Sequence, residues 1–361
     1  MTRDMPFTPL PSLREISQRC GVAKSTVGHI LGGRSHLFRP ETRELVLRAA
    51  EELGWKRPED WRSVRRARFG CAILLQGLDM SRSLIGPNLL SGLEDRLLDR
   101  NMHLTLARLP DETMASETAL KRLLQQWSAD GMIITYTQRP PPRLRALVTE
   151  LELPVVWLNT RQEPMDSVRP DDTGAGRRAA ELLLEAGHRN VSYLTYSMPT
   201  TETVEDLHYS MIDRPAAARA AVINAGGTWT DVAGPDCMSI PRWKDRLSKP
   251  DRETAVIAYN PIQALPVLHA ALVLGLRVPE DLSLITFHHE PVWMLDRDIA
   301  SLELPEAAMA EKAAAHLCAR IAGGPSMALD PEPFTVRSTA TIAPPPALRP
   351  SRTRPSRAKS R

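Results

Sequence analysis

The chain has 361 residues, of which 42% are hydrophobic and 25% charged, and its formal net charge is +3. This composition excludes a fibrous or wholly disordered chain and indicates a globular protein of two or three domains. No apolar run approaches the roughly 20 residues that a membrane-spanning helix needs. The N-terminus also lacks a charged-then-apolar signal layout, so we expect a cytoplasmic protein without a membrane partner.

Charge is distributed unevenly along the chain. Residues 1–68 contain 14 Lys and Arg against 8 Asp and Glu, and residues 344–361 contain 6 basic and no acidic residues. The residues between them carry a net charge of −9. Basic ends on an acidic body indicate that the ends meet a polyanion. The 4 cysteines form no CxxC pair, so we expect reduced thiols.

Residues 12–53 are predicted to form three short helices. Ser12 and Glu15 make a capping box at the start of the first helix, and a glycine supplies the turn after it. The second helix spans 24–31, and the third carries Pro40 in its first turn. The apolar face of the third helix is expected to comprise Val46, Ala49, Ala50 and Leu53.

From residue 70 onward, short apolar runs alternate with amphipathic stretches. The predicted strands are 71–75, 104–106, 132–135, 155–158, 191–194, 255–258 and 284–287. The predicted helices are 88–99, 117–127, 174–185, 215–225 and 262–274. Apolar strands that alternate with helices indicate parallel sheets covered on both faces. Seven or more strand–helix units are too many for a single sheet of this kind, so we expect two α/β lobes. A disordered Pro/Ser/Arg-rich tail is expected to follow at 344–361.

The first two helices and their glycine turn have the layout of a helix-turn-helix, in which the second helix enters the DNA major groove by its N-terminal residues. Lys24, Ser25 and Thr26 open that helix, and His29 follows one turn later. Short or cationic donors of this kind suit base edges and phosphates. On spacing alone, an ordinary three-helix bundle with solvated polar faces is the alternative.

The run LREISQRCGVAKSTVGHIL at 13–31 resembles the headpiece of the LacI/GalR family of bacterial transcription regulators, and residues 42–55 resemble its continuation. The resemblance implies base contacts from Lys24, Ser25 and His29, and phosphate contacts from Thr26 and Arg43. Ala23 and Gly28 stand where the family has Ser, which removes two hydroxyls. Binding to the DNA backbone is therefore expected to depend more on Arg34, Arg39 and the hinge.

In this family a linker helix with an A-R-S-L core follows the headpiece, and its Leu wedges into the minor groove. Trp61-Arg62-Ser63-Val64 lies in that register. Apolar wedges unstack a base step and bend the duplex, and either the shorter Val64 or the bulkier Trp61 is the wedge here. Arg62 is expected to contact a phosphate, which contributes to a steep salt dependence.

The resemblance extends over nearly the whole chain. Its further motifs are Asp130-Gly131-Met132-Ile133-Ile134, Pro154-Val155-Val156, Asp171-Asp172 through Gly187-His188-Arg189, Val278-Pro279 through Phe287, and Val336-Arg337-Ser338-Thr339. They imply an all-α helix-turn-helix headpiece and an α/β periplasmic-binding-protein-like core of two parallel-sheet lobes around a ligand cleft. The expected domains are a headpiece at 1–55, a hinge at 56–68, an effector-binding and dimerisation domain at 69–343, and a basic tail at 344–361.

Four residues match positions that hold the effector in the family, namely Asn159, Arg214, Asn260 and His288. Arg214 can donate a fork of hydrogen bonds to hydroxyls or to a carboxylate. His288 replaces an Asp that commonly accepts sugar hydroxyls, and Pro261 replaces another Asp. Two interpretations stay open: a pocket that has lost its ligand, or a changed effector, such as an anion held by Arg214 and His288.

Two weaker patterns compete with this interpretation. Gly174-Ala175-Gly176 with Ala179 satisfies the GxGxxA dinucleotide pattern, but residues 167–170 make a poor preceding strand. His288-His289-Glu290 offers no third metal ligand at a natural spacing. The sequence carries no P-loop, HExxH or GxSxG motif, so we expect no catalysis, cofactor or metal.

The sequence therefore predicts a sequence-specific transcription regulator, a repressor by family default, that binds a near-palindromic DNA operator as a homodimer. A small-molecule effector, a sugar or a sugar acid, is expected in the cleft. The alternatives are an activator, a constitutive DNA binder with a decayed pocket, and a carbohydrate-binding module or sugar-processing enzyme on the same two-lobe fold.

Overall fold

The computed structural model describes residues 11–31, 35–53, 55, 70–77, 85–109, 129–135, 142–150, 153–161, 164–195, 207–234, 237–288, 293–294 and 297–346. The chain divides into two units, Met1–Gly70 and Cys71–Arg361. Each unit buries its own hydrophobic core. The predicted helix at 117–127 and the basic tail beyond residue 346 lie outside the described residues.

The first unit contains three helices, α1 (Leu13–Cys20), α2 (Lys24–His29) and α3 (Pro40–Glu52). The predicted capping box is present, because the Ser12 hydroxyl accepts the Glu15 backbone N–H and the Glu15 carboxylate accepts the Ser12 N–H. These helices pack around a core that includes Ile16, Val27, Ile30, Leu31, Val46, Ala49 and Ala50. We call the described residues of this helical region, 11–31, 35–53 and 55, the headpiece.

Two details of the headpiece differ from prediction. The regular part of α2 ends at His29, and the backbone then widens into a π-type turn at Ile30 and Leu31, which keeps both side chains buried. Leu53, predicted to face the core, is instead 36% exposed. It caps the C-terminal end of α3, where the helix no longer holds successive side chains against the core.

The start of α2 lacks a side-chain cap, because its N-cap residue is Ala23. A Ser at this position can accept a backbone N–H of the first turn, so Ala23→Ser is expected to stabilise the headpiece by about 1 kcal/mol. Calorimetry of the full chain would measure this as a rise in the headpiece transition. Ala220→Ser, at an exposed position of the second unit, is the control, and an unchanged headpiece transition in Ala23→Ser would contradict the prediction.

Lobe A, the first half of the second unit, is built on a five-stranded sheet of order β2-β1-β3-β4-β5, and all its described pairings are parallel. Its strands are β1 (Cys71–Gly77), β2 (His103–Leu109), β3 (Gly131–Thr135), β4 (Val155–Leu158) and β5 (Ser167–Val168). Its own helices are α4 (Pro87–Leu98) and α5 (Pro142–Glu150). β3 and β4 are buried along their whole length, as strands covered on both faces must be.

Lobe B is built on a six-stranded sheet of order β13-β12-β9-β8-β6-β7, in which only the pairing of β12 with β13 is antiparallel. Its strands are β6 (Asn190–Leu194), β7 (Thr228–Val232), β8 (Ala255–Ala258), β9 (Ser283–His288), β12 (Ala300–Glu303) and β13 (Thr335–Ser338). The helices α6 (Asp172–Glu185), α7 (Ser210–Asn224), α8 (Ile240–Leu247) and α9 (Pro261–Val273) cover it. A hairpin of two short antiparallel strands, β10 (Trp293–Met294) and β11 (Arg297–Asp298), precedes β12 in the chain.

The described chain passes between the lobes at residues 169–171, 304–305 and 322–334. After β12, the helix α10 (Glu306–Ile321) returns to lobe A, where Met309, Ala313 and Leu317 join its core. The first and third passages run side by side: the Asp171 N–H donates to the Glu332 carbonyl at 2.7 Å, and the Glu332 N–H donates to the Arg169 carbonyl at 2.9 Å. Because the chain crosses three times, each lobe is built from two separate stretches of the chain.

Most predicted strands and helices of the second unit are present, with ends shifted by a few residues. The helix predicted at 215–225 begins earlier, at Ser210, and carries Pro215 inside it. Residues 167–170 have the sequence of a poor strand, yet Ser167 and Val168 form the short β5, because they pair with the end of β4 and are buried.

Candidate DNA-reading face and inter-lobe cleft

The outward face of α2 carries the residues predicted to contact bases. Lys24, Ser25 and His29 are exposed, whereas Val27 is fully buried against α1 and α3. Burial of one side of α2 therefore leaves these polar side chains together on the other, and His29 additionally stacks on Phe38 with ring centroids 6.3 Å apart. This arrangement can present donors to a groove without disturbing the core.

Two of the predicted phosphate contacts lie in the described headpiece and two do not. Thr26 on α2 and Arg43 on α3 are both partly exposed. Arg34 and Arg62 fall outside the described residues, as do the two candidate hinge wedges, Trp61 and Val64. Their roles stay predictions.

Asn159 follows β4 at the edge of lobe A that faces lobe B. Its backbone is left-handed, with φ 57°, a conformation that Asn adopts more readily than most residues. Its N–H donates to the Val168 carbonyl at 2.8 Å. The Tyr209 hydroxyl, at the start of lobe B's α7, donates to the Asn159 side-chain oxygen at 3.1 Å, so this residue contacts both lobes.

Arg214 lies on α7 and is almost completely buried. Its Nε donates to Asp172 Oδ1 at 2.5 Å, and the two side chains are 6% and 1% exposed. The guanidinium carbon also lies 4.7, 4.9 and 5.2 Å from the ring centroids of Phe287, Tyr259 and Phe334. A cation over aromatic faces is stabilised by their quadrupoles, so this side chain is held by one carboxylate and three rings.

Burial and charge act in opposite directions on this pair. Burial alone lowers the pKa of Arg214, but the Asp172 carboxylate and the phenols of Tyr259 and Tyr193 together outweigh it and hold the pKa above the ordinary arginine value. Burial raises the pKa of the Tyr209 hydroxyl well above its usual value, and Asp172 raises it further. The cleft wall of lobe B therefore contains a neutralised ion pair and an un-ionised phenol at ordinary pH.

Gly176 explains how α6 and α7 approach closely enough to form this pair. A Cβ at Gly176 would overlap the Arg214 carbonyl oxygen and lie 2.7 Å from the Arg214 Cα. Gly174 belongs to a different contact, since its N–H donates to the Asp171 side chain that caps α6. The GxGxxA spacing therefore reflects helix packing and capping in this chain.

His288 and Asn260 lie at the carboxyl ends of neighbouring strands. His288 ends β9 and is 5% exposed, and Asn260 follows β8 and caps α9 by accepting the Gln263 N–H at 3.0 Å. Their sequence neighbours Phe287 and Tyr259 both contact the Arg214 guanidinium. The predicted lobe B residues thus surround one end of this sheet, although the Asn260 side-chain oxygen is used in capping.

Sequence reasoning missed several residues of the cleft. Asp172 stands out in the sequence only as part of a motif, and Tyr209 and Phe334 belong to no recognisable pattern. A further ion pair joins the lobes, between Arg161 of lobe A and Asp213 of α7 at 2.6 Å. Of these residues, only Asp172 has a signal in the sequence, because it is one of two adjacent acids, Asp171 and Asp172, at the start of α6.

Two protein-family models match the second unit. One, a periplasmic binding protein-like domain, matches residues 165–339. The other, for periplasmic binding proteins and the sugar binding domain of the LacI family, matches residues 87–206. Together they span residues 87–339, more than two thirds of the chain. The chain belongs to the LacI/GalR family.

Among curated relatives in this family, the HTH-type transcriptional repressor PurR of Escherichia coli O139:H28 (strain E24377A / ETEC) is 24% identical over 282 residues, which cover 77% of this chain and 80% of PurR. Among solved structures, the lac repressor dimer bound to operator and the anti-inducer ONPF is 18% identical with a TM-score of 0.61, covering 93% of this chain and 100% of that one. The CelR–cellobiose complex is 22% identical with a TM-score of 0.58, covering 92% and 99%.

The predicted fold class is confirmed, since this LacI/GalR-family chain has a helical N-terminal unit and two lobes built on parallel sheets. Within the described residues, no helix is long and apolar enough to cross a membrane. The same part of the chain contains no cluster of three or more His, Cys, Asp or Glu residues arranged to hold a metal ion.

Proposed function

We propose that this chain is a sequence-specific DNA-binding transcription regulator, a repressor, whose operator binding is modulated by a small-molecule effector in the inter-lobe cleft. The observation that supports it is the exposed trio Lys24, Ser25 and His29 on an α2 whose opposite side is buried. PurR is named a transcriptional repressor, and the lac repressor structure is bound to an operator. PurR and CelR are both named as regulators rather than enzymes, and we assign no catalytic role.

The trio is proposed to contact base edges in the major groove, where each good base contact contributes about 1–3 kcal/mol of discrimination. Thr26, Arg34, Arg43 and Arg62 are proposed to contact phosphates, and Trp61 or Val64 to wedge into the minor groove. We propose that the chain divides into a headpiece at 1–55, a hinge at 56–68 and an effector-binding and dimerisation domain at 69–343. The basic tail at 344–361 is assigned no role.

A homodimer is proposed because α9 exposes large apolar side chains on one face. Ile262, Leu265 and Leu272 are 64%, 46% and 65% exposed, and their spacing places them along one side of the helix. Large exposed apolar side chains grouped on one side of a helix are typical of an association site. Two paired chains would place two headpieces on the half-sites of a near-palindromic operator.

Leu265→Glu is therefore expected to convert the dimer into a monomer, because it puts a charge in the centre of that apolar face. Light scattering after size exclusion would measure the mass. Ile223→Glu is the matched control, since Ile223 is also an exposed apolar residue, 50% exposed, but lies on α7. A dimer that persists in Leu265→Glu, at the concentrations where wild type is dimeric, would place the interface elsewhere.

The proposed effector is a neutral sugar rather than a sugar acid. The Arg214 charge is already balanced by Asp172 at 2.5 Å, so a second carboxylate would gain little attraction while losing its hydration. This argues against an anion held by Arg214 and His288. It is also consistent with the cellobiose found with the related CelR.

Selection of bound duplexes from random DNA, followed by a screen for metabolites that change binding, tests both parts. A regulator is expected to recover one dyad-symmetric sequence and to respond to a neutral sugar. Recovery of such a sequence with no response to any metabolite would favour the constitutive binder with a decayed pocket. A response only to acidic sugars would refute the neutral effector, and sugar binding with no recovered DNA would favour a carbohydrate-binding module.

A further inference from the structure

Phe38 lies between α2 and α3 and contacts both the core of the headpiece and its reading face, the exposed side of α2 with Lys24, Ser25 and His29. On one side, the Phe38 ring packs against the buried core. On the other, it stacks on the His29 imidazole, with ring centroids 6.3 Å apart and ring planes inclined by 22°. This separation and angle are those of an offset stack. Phe38 therefore joins an exposed residue of the reading face to the headpiece core.

The backbone around Phe38 is held on both sides. Before it, a short 3₁₀ turn spans Ser35–Leu37, and the Phe38 N–H donates to the Ser35 carbonyl at 3.2 Å. After it, Arg39 is extended, with φ −61° and ψ 145°, the conformation that a following proline favours. The Arg39 carbonyl then accepts the Arg43 N–H of α3 at 3.1 Å. The headpiece fold therefore sets the position of the Phe38 ring before any DNA binds.

His29 is the residue of the reading face for which such a support matters. It is the last residue of regular α2, and its side chain is exposed, so an unsupported imidazole would sample several staggered rotamers. A base contact requires one of them, and affinity falls in proportion to the fraction of the protein that has the competent conformation. A stack occupies the face of the imidazole and leaves both ring nitrogens, which lie in its edge, available to a base edge.

We propose that Phe38 is a positioning residue for base recognition, whose ring holds the His29 imidazole in the orientation that contacts a base pair. The proposal rests on the proposed function, because it takes His29 as a base-contacting residue. The energy of an aromatic pair corresponds to a change of about 2–12-fold in the population of the oriented ring. Loss of the stack is therefore expected to raise the Kd by that factor for each half-site, and only for duplexes that carry the base pair contacted by His29.

A purely structural role for Phe38 has a different consequence. A residue that only fills the headpiece core would, when replaced, weaken the binding of every duplex by the same factor, because the whole reading face would be affected. A positioning residue instead changes the preference at one base pair. The ratio of two Kd values therefore separates the two roles, whereas a single affinity does not.

The test measures Kd by fluorescence anisotropy for the full chain at fixed salt. One probe is the duplex that wild type selects, and the other carries an exchanged base pair in each half-site, at the position where His29→Ala relaxes the preference. Phe38→Leu keeps an apolar side chain against the core but loses the ring. It is expected to weaken binding to the selected duplex by about 2–12-fold for each half-site and to leave binding to the exchanged duplex unchanged. Phe38→Tyr keeps a ring and is expected to retain the preference.

Trp55→Leu is the matched control, because Trp55 is another partly buried aromatic residue packed against the same core. It is expected to lower the headpiece transition in calorimetry and to leave the ratio of the two Kd values as in wild type. In the double variant His29→Ala with Phe38→Leu, the second substitution is expected to cause no further loss of preference, since residues in contact are not additive. A wild-type ratio in Phe38→Leu, or an equal loss of the ratio in Trp55→Leu, would overturn the proposal.

A second readout needs no DNA and is made on the wild-type chain. In a deuterated chain with protonated histidine and phenylalanine, we expect a nuclear Overhauser effect between the ring protons of His29 and Phe38. The signals missing from His29→Ala and Phe38→Tyr identify the two rings, and the absence of this effect would also overturn the proposal. A chain that selects no duplex, or a His29→Ala variant that keeps every base preference, would instead contradict the proposed base contact itself, and the role of Phe38 would fall with it.

Discussion

Asp172→Ala is expected to destabilise the second unit by about 3–5 kcal/mol, because it leaves the Arg214 guanidinium buried without its carboxylate. Both side chains are at least 94% buried, so water cannot replace the lost partner without opening the cleft wall. Three aromatic rings remain around the cation, but cation–π contacts contribute only about 0.5–2 kcal/mol. Calorimetry of the full chain would follow the transition of this unit.

The companion variant is Asp172→Ala with Arg214→Met, which removes both charges. Replacing a whole buried pair by apolar side chains is often close to neutral, so the double variant is expected to be more stable than Asp172→Ala alone. The double variant is also expected to lose effector response, since it removes Arg214 from the proposed effector site. An Asp172→Ala chain that loses less than about 1 kcal/mol would show that the pair does not have the buried geometry described.

Gly176→Ala is expected to destabilise the same unit by about 3 kcal/mol, although alanine ordinarily favours a helix by about 1 kcal/mol over glycine. The added methyl group would overlap the Arg214 carbonyl oxygen. Backbone cannot move aside as a flexible side chain can, so α6 and α7 would have to separate and carry Arg214 away from Asp172. A cost of this size lies at the upper end of those measured for overpacked cores.

Gly28→Ala is the matched control for this substitution. A Cβ at Gly28 would meet only Leu13 Cδ1, at an ordinary 3.7 Å, so the headpiece transition is expected to be unchanged or to rise. Both variants would be followed in the full chain by calorimetry, which separates the two units. If Gly176→Ala were as stable as wild type, the close approach of α6 and α7 would be wrong.

Local signals in the sequence predicted the headpiece well. The Ser12–Glu15 capping box sets the start of α1 within a few residues, and the spacing of Val27, Val46 and Ala50 sets the sides that pack together. These features depend on neighbours within one or two turns. The prediction that Leu53 faces the core was wrong because the apolar spacing of α3 continues in the sequence past Glu52, where the helix ends.

The second unit shows where such reasoning ends. Fully buried strands such as β8 were predicted from their apolar runs, whereas the edge strand β7, with the mixed sequence TWTDV, was not. The partners of the cleft residues were also missed, because Arg214 and Asp172 are 42 residues apart and His208 and Asn159 are 49 apart. Those contacts exist only once α6, α7 and the end of β4 have been placed by the whole fold.

The most direct test of the regulator function is the affinity of Lys24→Ala for the duplex that wild type selects. Fluorescence anisotropy at fixed salt is expected to show a loss of about 1–3 kcal/mol, or roughly 5–150-fold in Kd, with relaxed preference at one position of each half-site. Arg219→Ala, which removes an exposed cation from lobe B, is expected to bind like wild type. If Lys24→Ala bound that duplex as tightly and as selectively as wild type, α2 would not be the DNA-reading helix.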